Sequence, residues 1–345
     1  MNARIGGPLA RAAMAGSLVG SLLVGGAAAP VSAAGCLATG AVDRDGTALT
    51  ARIIDPARPV TGRVDATGCE VGVYFSSGHG KVAGADVFGA RYYGVLVDGN
   101  GDGHTVSVDV RGSRIHDIGE TPMTSSRHGQ GIAYRGFGGT ATGKVSGNRV
   151  WGFQEAGINM TGPGSTVTAI HNVVTGRGVT DVISQNGIQV IFGAHGIVRS
   201  NVIRDLRYTG PNVANGIIVV GGPGYHQPYT RDARIEGNHI VGADVGINVF
   251  EIEDDNFANI PSVVPTRILI TRNVVRNDAL TNHEGWADGV GFQAGIADFA
   301  NSDRIVSNII SGAGYDPAVC GADAVCAPIF TDGSIDPFVS GNVLR

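Results

Sequence analysis

The chain has 345 residues, of which 55 are glycine and only 16% are charged. Glycine at this level without a Gly-X-Y period excludes collagen, and a hydrophobic fraction of 43% excludes a disordered chain. Two lysines and seven glutamates stand against 23 aspartates, a balance that disfavours a mostly helical protein. The net charge of -5 and the pI of about 6.0 do not indicate a nucleic-acid-binding surface.

Residues 1–34 have the pattern of a secretory signal peptide. Arg4 supplies a positive start, an apolar run covers 12–29, and small residues lead to Ala33, where a signal peptidase would cut. A membrane anchor and a lipoprotein acylated at Cys36 are the alternatives. No second long apolar stretch follows, so the sequence predicts a secreted, extracellular protein without a membrane span.

Four cysteines follow the predicted cleavage site. An even number of cysteines in an exported protein indicates disulfides. We expect Cys36 to pair with Cys69 and Cys320 with Cys326, because the members of each pair are close in sequence and the two pairs lie at opposite ends.

Two short elements alternate along the chain. One is an asparagine followed two residues later by Val, Ile or Leu, and the other is Gly-Ile or Gly-Val opening an alternating apolar segment. The asparagines are Asn148, Asn172, Asn201, Asn238, Asn273, Asn308 and Asn342. The glycines are Gly94, Gly131, Gly157, Gly187, Gly216, Gly246 and Gly289.

The spacing of these elements predicts a coil. Gly157 precedes Asn172 by 15 residues and Asn238 precedes Gly246 by eight, so a complete turn needs about 23 residues. This period is typical of a parallel β-solenoid, whose turns bury their apolar side chains only by stacking. Glycine and asparagine tolerate positive φ at tight bends, and stacked asparagine side chains can hydrogen-bond from turn to turn.

With these elements the chain resembles the right-handed parallel β-helix repeat proteins of the pectin-lyase-like superfamily. The segments 115–129 and 185–189 also resemble secreted actinobacterial β-helix proteins of unassigned activity. The resemblance implies an all-β, single-stranded right-handed parallel β-helix over 71–345. Residues 35–70 lack the repeat and are predicted to form an N-terminal cap that shields the first open strand edge.

Period-two alternation predicts which side chains leave the coil. Isoleucines such as Ile158 and Ile188 would point inward with the residue two positions later. One outward row would hold Leu96, Ala133, Asn159, Gln189, Ile218, Asn248 and Gly291. A second would hold Asp98, Arg135, Thr161, Ile191, Val220, Phe250 and Gln293. Long insertions flank these strands, so the rows form the floor of a groove that suits a polymer.

Polar residues on and beside this floor predict a carbohydrate site. The candidate catalytic residues are His128, Glu155, Arg135 and Asp98. The candidate substrate-binding residues are Gln130, Asn159, Gln185, Gln189 and Asn248. Tyr225, His226 and Tyr229 on the insertion 216–238 could stack on sugar rings, or could only pack that loop. Amides and arginine suit sugar hydroxyls or a uronate carboxylate, histidine can move a proton near neutral pH, and paired carboxylates can serve a hydrolase. The alternative is that these side chains decorate a solvated sheet face.

One segment has the pattern of a calcium loop. Asp98, Asn100, Asp102 and Asp109 place oxygen ligands at positions one, three, five and twelve, with Gly103 at position six. An aspartate stands where such loops carry glutamate. The alternative is a glycine-rich turn between two strands. Calcium is the one cofactor that the sequence suggests.

Two classes of function compete. The first is a secreted polysaccharide lyase or glycoside hydrolase, and the second is a non-catalytic module that binds an extracellular polysaccharide or a surface. The catalytic sets of the polygalacturonases and the pectate lyases cannot be carried over. The polygalacturonase-like histidine motif at 78–81 lacks the preceding pair of aspartates, and the arginine motif of the pectate lyases is absent from the sequence. The predicted partner is an extracellular polysaccharide, and we expect a monomer that binds no nucleic acid.

Overall fold

The computed structural model of the chain describes residues 35–101, 103–254 and 261–345. The predicted signal peptide therefore lies outside the described residues. Apart from two 3-10 turns (Pro223–Tyr225 and Ala313–Tyr315) and the short helix α1 (Pro317–Cys320), the regular elements are strands. None of the helical segments in these three ranges has the length and apolar character needed to cross a bilayer.

The strands follow one another with short connections. In chain order they are β1 (Leu37–Val42), β2 (Ala48–Ile54), β3 (Val60–Asp65), β4 (Val71–Phe75), β5 (Gly78–Phe88), β6 (Tyr93–Asp98), β7 (Thr105–Arg111), β8 (Arg114–His116), β9 (Gln130–Arg135), β10 (Thr140–Ser146), β11 (Arg149–Trp151), β12 (Ala156–Thr161), β13 (Ser165–Ile170), β14 (Val173–Thr180), β15 (Asn186–Ile191), β16 (His195–Arg199), β17 (Val202–Tyr208), β18 (Asn215–Gly221), β19 (Arg234–Glu236), β20 (His239–Ala243), β21 (Val245–Glu251), β22 (Leu269–Thr271), β23 (Val274–Arg276), β24 (Gly291–Phe299), β25 (Arg304–Val306), β26 (Ile309–Ser311), β27 (Ala324–Phe330), β28 (Phe338–Ser340) and β29 (Val343–Leu344).

These strands wind into the predicted parallel β-helix. From β6 onward every third strand joins the first sheet, in which β2, β4, β6, β9, β12, β15, β18, β21, β24 and β27 stack in parallel and β1 pairs with β2 at the edge. The other strands form a second sheet, in which β3 and β5 precede two columns, one running from β7 and β10 to β28 and the other from β8 and β11 to β29. Each turn of the chain thus contributes one strand to each of three faces.

The interior of the coil is apolar and continuous. Ile132, Ile158, Ile188, Ile217 and Ile247 lie opposite one another on successive turns and are fully buried. The residues two positions later, from Tyr134 through Val249, are also fully buried. The predicted inward positions of the first sheet are therefore confirmed.

The repeating glycines form a column, which we call the glycine column. It comprises Gly72, Gly94, Gly131, Gly157, Gly187, Gly216, Gly246 and Gly295. A Cβ on Gly187 would lie 2.5 Å from the carbonyl oxygen of Gly216 and 2.6 Å from Ile203 Cγ2. The glycines are needed here because the backbones approach closely, and not for positive φ as the sequence suggested.

The repeating asparagines form a second column at the bend between the two columns of the second sheet. In this asparagine ladder, Asn172 Nδ2 donates to Asn201 Oδ1 at 2.9 Å, and Asn201 Nδ2 donates to Asn238 Oδ1 at 3.0 Å. The same contact joins every consecutive pair of the seven predicted asparagines. The residue before each asparagine has positive φ, as at Gly147 and His171.

The two ends of the coil differ. At the first end, β1 pairs antiparallel with β2, whereas β2 and β3 already pair in parallel with β4 and β5. The predicted disulfides Cys36–Cys69 and Cys320–Cys326 are confirmed. Two disulfides fit a protein that folds in an oxidising compartment.

Candidate functional site

The outward face of the first sheet carries the predicted rows in register. Asn159 lies opposite Gln189, Gln189 opposite Ile218, and Ile218 opposite Asn248. At the strand ends a second row is apolar over its later turns, and we call this part the apolar row. It consists of Ile191, Val220, Phe250 and Phe299.

The final member of each outward row was predicted wrongly. Ile247 lies opposite Ile296 and Phe250 opposite Phe299, so the last glycine of the column is Gly295. Gly289 instead belongs to a tight turn closed by a bridge between Ala287 and Val290. Ala297 and Phe299 therefore take the places expected for Gly291 and Gln293.

A groove lies over β12, β15, β18, β21 and β24. Its floor is the outward rows, and its walls come from the connections on both sides of the sheet. The residues that line this groove are Arg44, Arg127, Glu155, Ser184, Asn186, Gln189, Ile191, Phe192, Pro211, Asn212, Val213, Asn215, Ile218, Val220, Tyr225, Asn248, Phe250, Gly285, Phe292 and Phe299. Adjacent strands are about 4.8 Å apart, so five strands span about 19 Å along the coil.

Amide side chains form hydrogen-bonded chains along the floor. Asn159 Nδ2 donates to Gln130 Oε1 at 2.8 Å, and Gln130 Nε2 donates to Glu155 Oε2 at 2.9 Å. A second chain runs from Asn248 Nδ2 to Asn215 Oδ1 at 3.0 Å and from Asn215 Nδ2 to Asn186 Oδ1 at 2.8 Å. We call these two chains the groove amides.

Each chain of groove amides ends in an unpaired acceptor. The Oδ1 atoms of Asn159 and Asn248 are buried and have no hydrogen-bond partner within the part of the chain that the structure describes. Because an unpaired buried acceptor costs free energy, Asn248, which lines the groove, favours a ligand that brings hydroxyl donors. Of the predicted residues, Glu155, Gln189 and Asn248 line the groove, whereas Gln130 and Asn159 connect to it through the Gln130–Glu155 hydrogen bond.

Asp98 and Arg135 do not face the groove as free groups. Arg135 Nη2 lies 2.6 Å from Asp98 Oδ2, and Arg135 Nε donates to Asp98 Oδ1 at 3.2 Å. Arg135 Nη1 lies 3.5 Å from Asp43 Oδ1 and donates to the carbonyl oxygen of Val42. With exposures of 3% and 7%, Asp98 and Arg135 form a buried ion pair beneath the segment that follows β1.

The same ion pair holds two tyrosines. Tyr74 donates to Asp98 Oδ2 at 3.2 Å, and Tyr93 donates to Asp43. Burial, followed by the charge of Asp98, raises the pKa of Tyr74, so its hydroxyl stays protonated. The pair of Asp98 and Arg135, predicted to be catalytic, is therefore engaged in fixing the N-terminal turns to each other.

His128 lies beside the groove and is 4% exposed. Its ring stacks on Tyr92 with centroids 4.0 Å apart, and its Nε2 lies 3.4 Å from Glu120 Oε1. The Thr124 hydroxyl, then His128 and Arg91, lower the pKa of Glu120, so this carboxylate is ionised at neutral pH. The imidazole is thus oriented by a carboxylate and an aromatic ring.

Gln185 was predicted to bind substrate, but it holds a bend. Its side chain is fully buried, and its Nε2 donates to the carbonyl oxygens of Phe153 at 2.7 Å and Gln154 at 3.2 Å. Its Oε1 accepts from the backbone N–H of Arg177. Because backbone carbonyls accept from both of its N–H donors, Gln185 has no free donor for a ligand and instead stabilises the bend before β12.

The predicted calcium ligands have other partners. Asp98 accepts from Arg135, Asn100 Oδ1 accepts from the Phe137 N–H at 3.0 Å, and Asp109 Oδ1 accepts from the Lys144 N–H at 3.0 Å. Asp102 lies outside the described residues. Among the side chains that the structure does place, no group of three or more His, Cys, Asp or Glu residues is arranged to hold a metal ion.

The aromatic part of the groove was predicted only in part, at Tyr225 and through the row position of Phe250. Phe192 and Tyr225 come from bends that follow β15 and β18, and Phe292 lies near the start of β24. Burial strongly raises the pKa of Tyr225, so its hydroxyl is un-ionised. Bend residues have no fixed spacing from the repeat, so Phe192 had no sequence signal, whereas Tyr225 was indicated by its long insertion and Phe250 by its place in the outward row.

No protein-family model matches the chain, and no curated protein matches it. It is similar to the Dettilon tailspike protein (gp208), with 14% identity and a TM-score of 0.40 over 85% of this chain and 55% of the tailspike. It is also similar to DFA-IIIase from Arthrobacter chlorophenolicus A6 in complex with GF2, with 14% identity and a TM-score of 0.28 over 80% of this chain and 67% of that one. The chain spans about half the length of the tailspike, and likenesses this distant carry no argument about function.

Proposed function

We propose that the chain is an extracellular protein that binds a polysaccharide along the groove. The observation that carries this proposal is the pairing of a polar side and an apolar side on one floor. Glu155, Asn186 and Asn215 lie at the strand starts, and the apolar row lies at the strand ends. A sugar chain has the matching character, since its hydroxyl edges donate hydrogen bonds and its ring faces are apolar.

The unpaired acceptor in the groove supports binding through hydroxyl groups. Asn248 lines the groove and is held in place by Asn215, so its Oδ1 atom is positioned before a ligand arrives. Preorganised groups lose little conformational freedom on binding. Most residues that line the groove come from five successive turns of the coil, which suits a chain of sugar units better than a single small molecule.

The proposal is tested with a panel of neutral and acidic polysaccharides and the purified full chain. We expect at least one polysaccharide to retard the protein in affinity electrophoresis and to give a measurable Kd by titration calorimetry. Asn248→Ala should weaken that binding, while Asn100→Ala, an amide outside the groove, should leave it unchanged. If no member of the panel binds at high protein concentration, polysaccharide binding is refuted.

Hydrolysis is a second candidate, favoured by the position of Glu155. It is the only carboxylate among the described residues that line the groove, and Gln130 orients its Oε2. A hydrolase needs two carboxyl groups or a water-activating partner. His128 can exchange a proton, and its neighbour Gly129 accepts a backbone hydrogen bond from the Glu155 N–H at 3.1 Å. The lyase built on Arg135 is not supported, because Asp98 neutralises this arginine.

The two candidates differ in turnover. We expect a bound polysaccharide to remain intact if the groove only binds, and to show new reducing ends if Glu155 acts as an acid. Glu155→Gln keeps the shape of the side chain and should then abolish product formation while leaving the Kd within about twofold. Product that persists in Glu155→Gln would exclude this residue as the acid, and an unsaturated, ultraviolet-absorbing product would indicate a lyase instead.

A further inference from the structure

The outward face of the first sheet is apolar at both ends of the coil, but within the described residues only the N-terminal end is covered by another segment of the chain. At the N-terminal end, Leu96 and Ala133 pack with Tyr74, Tyr92 and Tyr93, and the segment after β1 lies over this cluster through Val42 and Asp43. At the C-terminal end, the apolar row instead lines the groove. The second apolar cluster thus faces a cavity.

The rings at this end enclose one side of the groove. Tyr225 lies 6.0 Å from Phe192 and 6.1 Å from Phe250 between ring centroids, and Phe250 lies 5.4 Å from Phe299. Most of these contacts are edge-to-face or tilted. Ring pairs of this kind hold their shape and present both edges and faces to a neighbour.

Polarity changes along the groove as well as across it. Glu155, Asn186 and Gln189 lie at the β12 and β15 end, whereas Phe292 and Phe299 lie on β24, three strands farther along the coil from β15. Phe292 and Phe299 are buried against Phe330. Phe192, Tyr225 and Phe250 are only half-buried, so part of their ring surface faces the groove. An apolar group would bury ring surface that water otherwise covers.

We infer that the aromatic end of the groove binds an apolar substituent, an alkyl or acyl chain, attached to the sugar that the polar end binds. The ligand is therefore an amphiphilic glycan, such as one that carries ester-linked acyl groups or a lipid. This inference rests on the proposed function. It adds that affinity comes from two separate contributions, one from the groove amides and one from the rings around Phe250.

The test uses methyl, butyl and hexyl β-D-glucosides as probes of the full chain by titration calorimetry, all below their micelle concentrations. One buried methylene strengthens binding about fourfold, so hexyl glucoside should bind at least about tenfold more tightly than methyl glucoside. The gain should fall with Phe250→Ala and should remain with Phe338→Ala, a matched change at a phenylalanine far from the groove that is 49% exposed.

A second variant guards against loss of folding. Ile218→Trp adds bulk to an outward position in the middle of the groove and removes no core contact, so it should block the chain-length effect in a protein with an unchanged melting temperature. Equal binding of all three glucosides, no binding by any of them, or the same gain in both groove variants overturns the inference. Polysaccharide binding that persists in those cases shows that the proposed function stands without it.

Discussion

Two stacks of amide side chains run along this coil, and they differ in how many of their hydrogen bonds are made. In the asparagine ladder, Asn201 Oδ1 accepts from both the N–H and Nδ2 of Asn172, and its own Nδ2 bonds to Ala169 and Asn238. In the groove amides, Asn159 and Asn248 each keep one buried oxygen unpaired. The same chemistry stabilises the fold where it is saturated and can bind a ligand where it is left open.

The largest effect is expected within the saturated stack. Asn201→Ala removes four side-chain hydrogen bonds and leaves the buried backbone N–H of Asn172 without its acceptor, so it should lower the free energy of unfolding by about 3–5 kcal/mol. Urea unfolding followed by circular dichroism measures this change.

The matched control for Asn201 is the last rung of the same ladder. Asn342→Ala loses contacts to only one neighbouring turn, and the cost should be about 1 kcal/mol. Equal costs at Asn201 and Asn342 would show that ladder saturation is not what stabilises the bend.

The second effect is a pH dependence of stability, which buried carboxyl groups cause and amides, which do not titrate, cannot. Burial and the neighbouring charge of Asp298 raise the pKa of Asp303 well above 3.8, and burial raises that of Asp244 to about 7. The folded chain therefore keeps protons that the unfolded chain loses. The stability that these groups confer is full below about pH 4 and is lost as the pH rises toward 7 and above.

Removing one of these carboxyl groups tests whether its contribution to stability falls as the pH rises. Asp303→Asn should raise the free energy of unfolding by about 1–3 kcal/mol at pH 8 and give no gain at pH 4. Melting temperatures across this range provide the measurement. Asp278→Asn, at an exposed carboxylate paired with Arg276, should show no comparable trend. A gain at pH 4 that disappears at pH 8 would reverse the argument.

The smallest effect on stability is expected in the open stack. Asn248→Ala removes a single side-chain hydrogen bond on the outside of the coil, to Asn215, so the free energy of unfolding should fall by less than about 1 kcal/mol. Binding of the polysaccharide identified in the panel should nevertheless weaken by about tenfold. A large loss of stability with unchanged affinity would place the groove amides with the structural ladder.

Much of the fold follows from the repeats, because one physical constraint acts on every turn. Each stacked asparagine must hydrogen-bond to the next, and a side chain in the glycine column would clash with the carbonyl oxygen of the next turn. Both elements therefore recur once per turn and can be recognised in the sequence. Gly289 was wrongly predicted to belong to the glycine column, because Gly289-Val290 has the same Gly-Val sequence as a true column position. The difference is a local turn bridged to Ala287, which no repeat pattern reports.

The site was less predictable, because its chemistry depends on partners outside the repeat. The Asp98–Arg135 pair looks like a free acid and a free cation in the sequence, yet Val42 and Asp43 from the first strand connection cover it. The register of Gln189 and Asn248 could be read from alternation. Of the aromatic wall, Tyr225 was indicated by its long insertion, but Phe192 was not, since it belongs to a short bend outside the repeat.

The glycine column also bears on how this protein can diversify. Along one strand, Gly187 allows no side chain, whereas Ile191, four residues later, faces the groove and meets no such limit. Outward residues can therefore be substituted one turn at a time during evolution while the buried residues of the coil stay the same. A lineage built on this scaffold can exchange one ligand for another through a few outward substitutions, without passing through a misfolded ancestor.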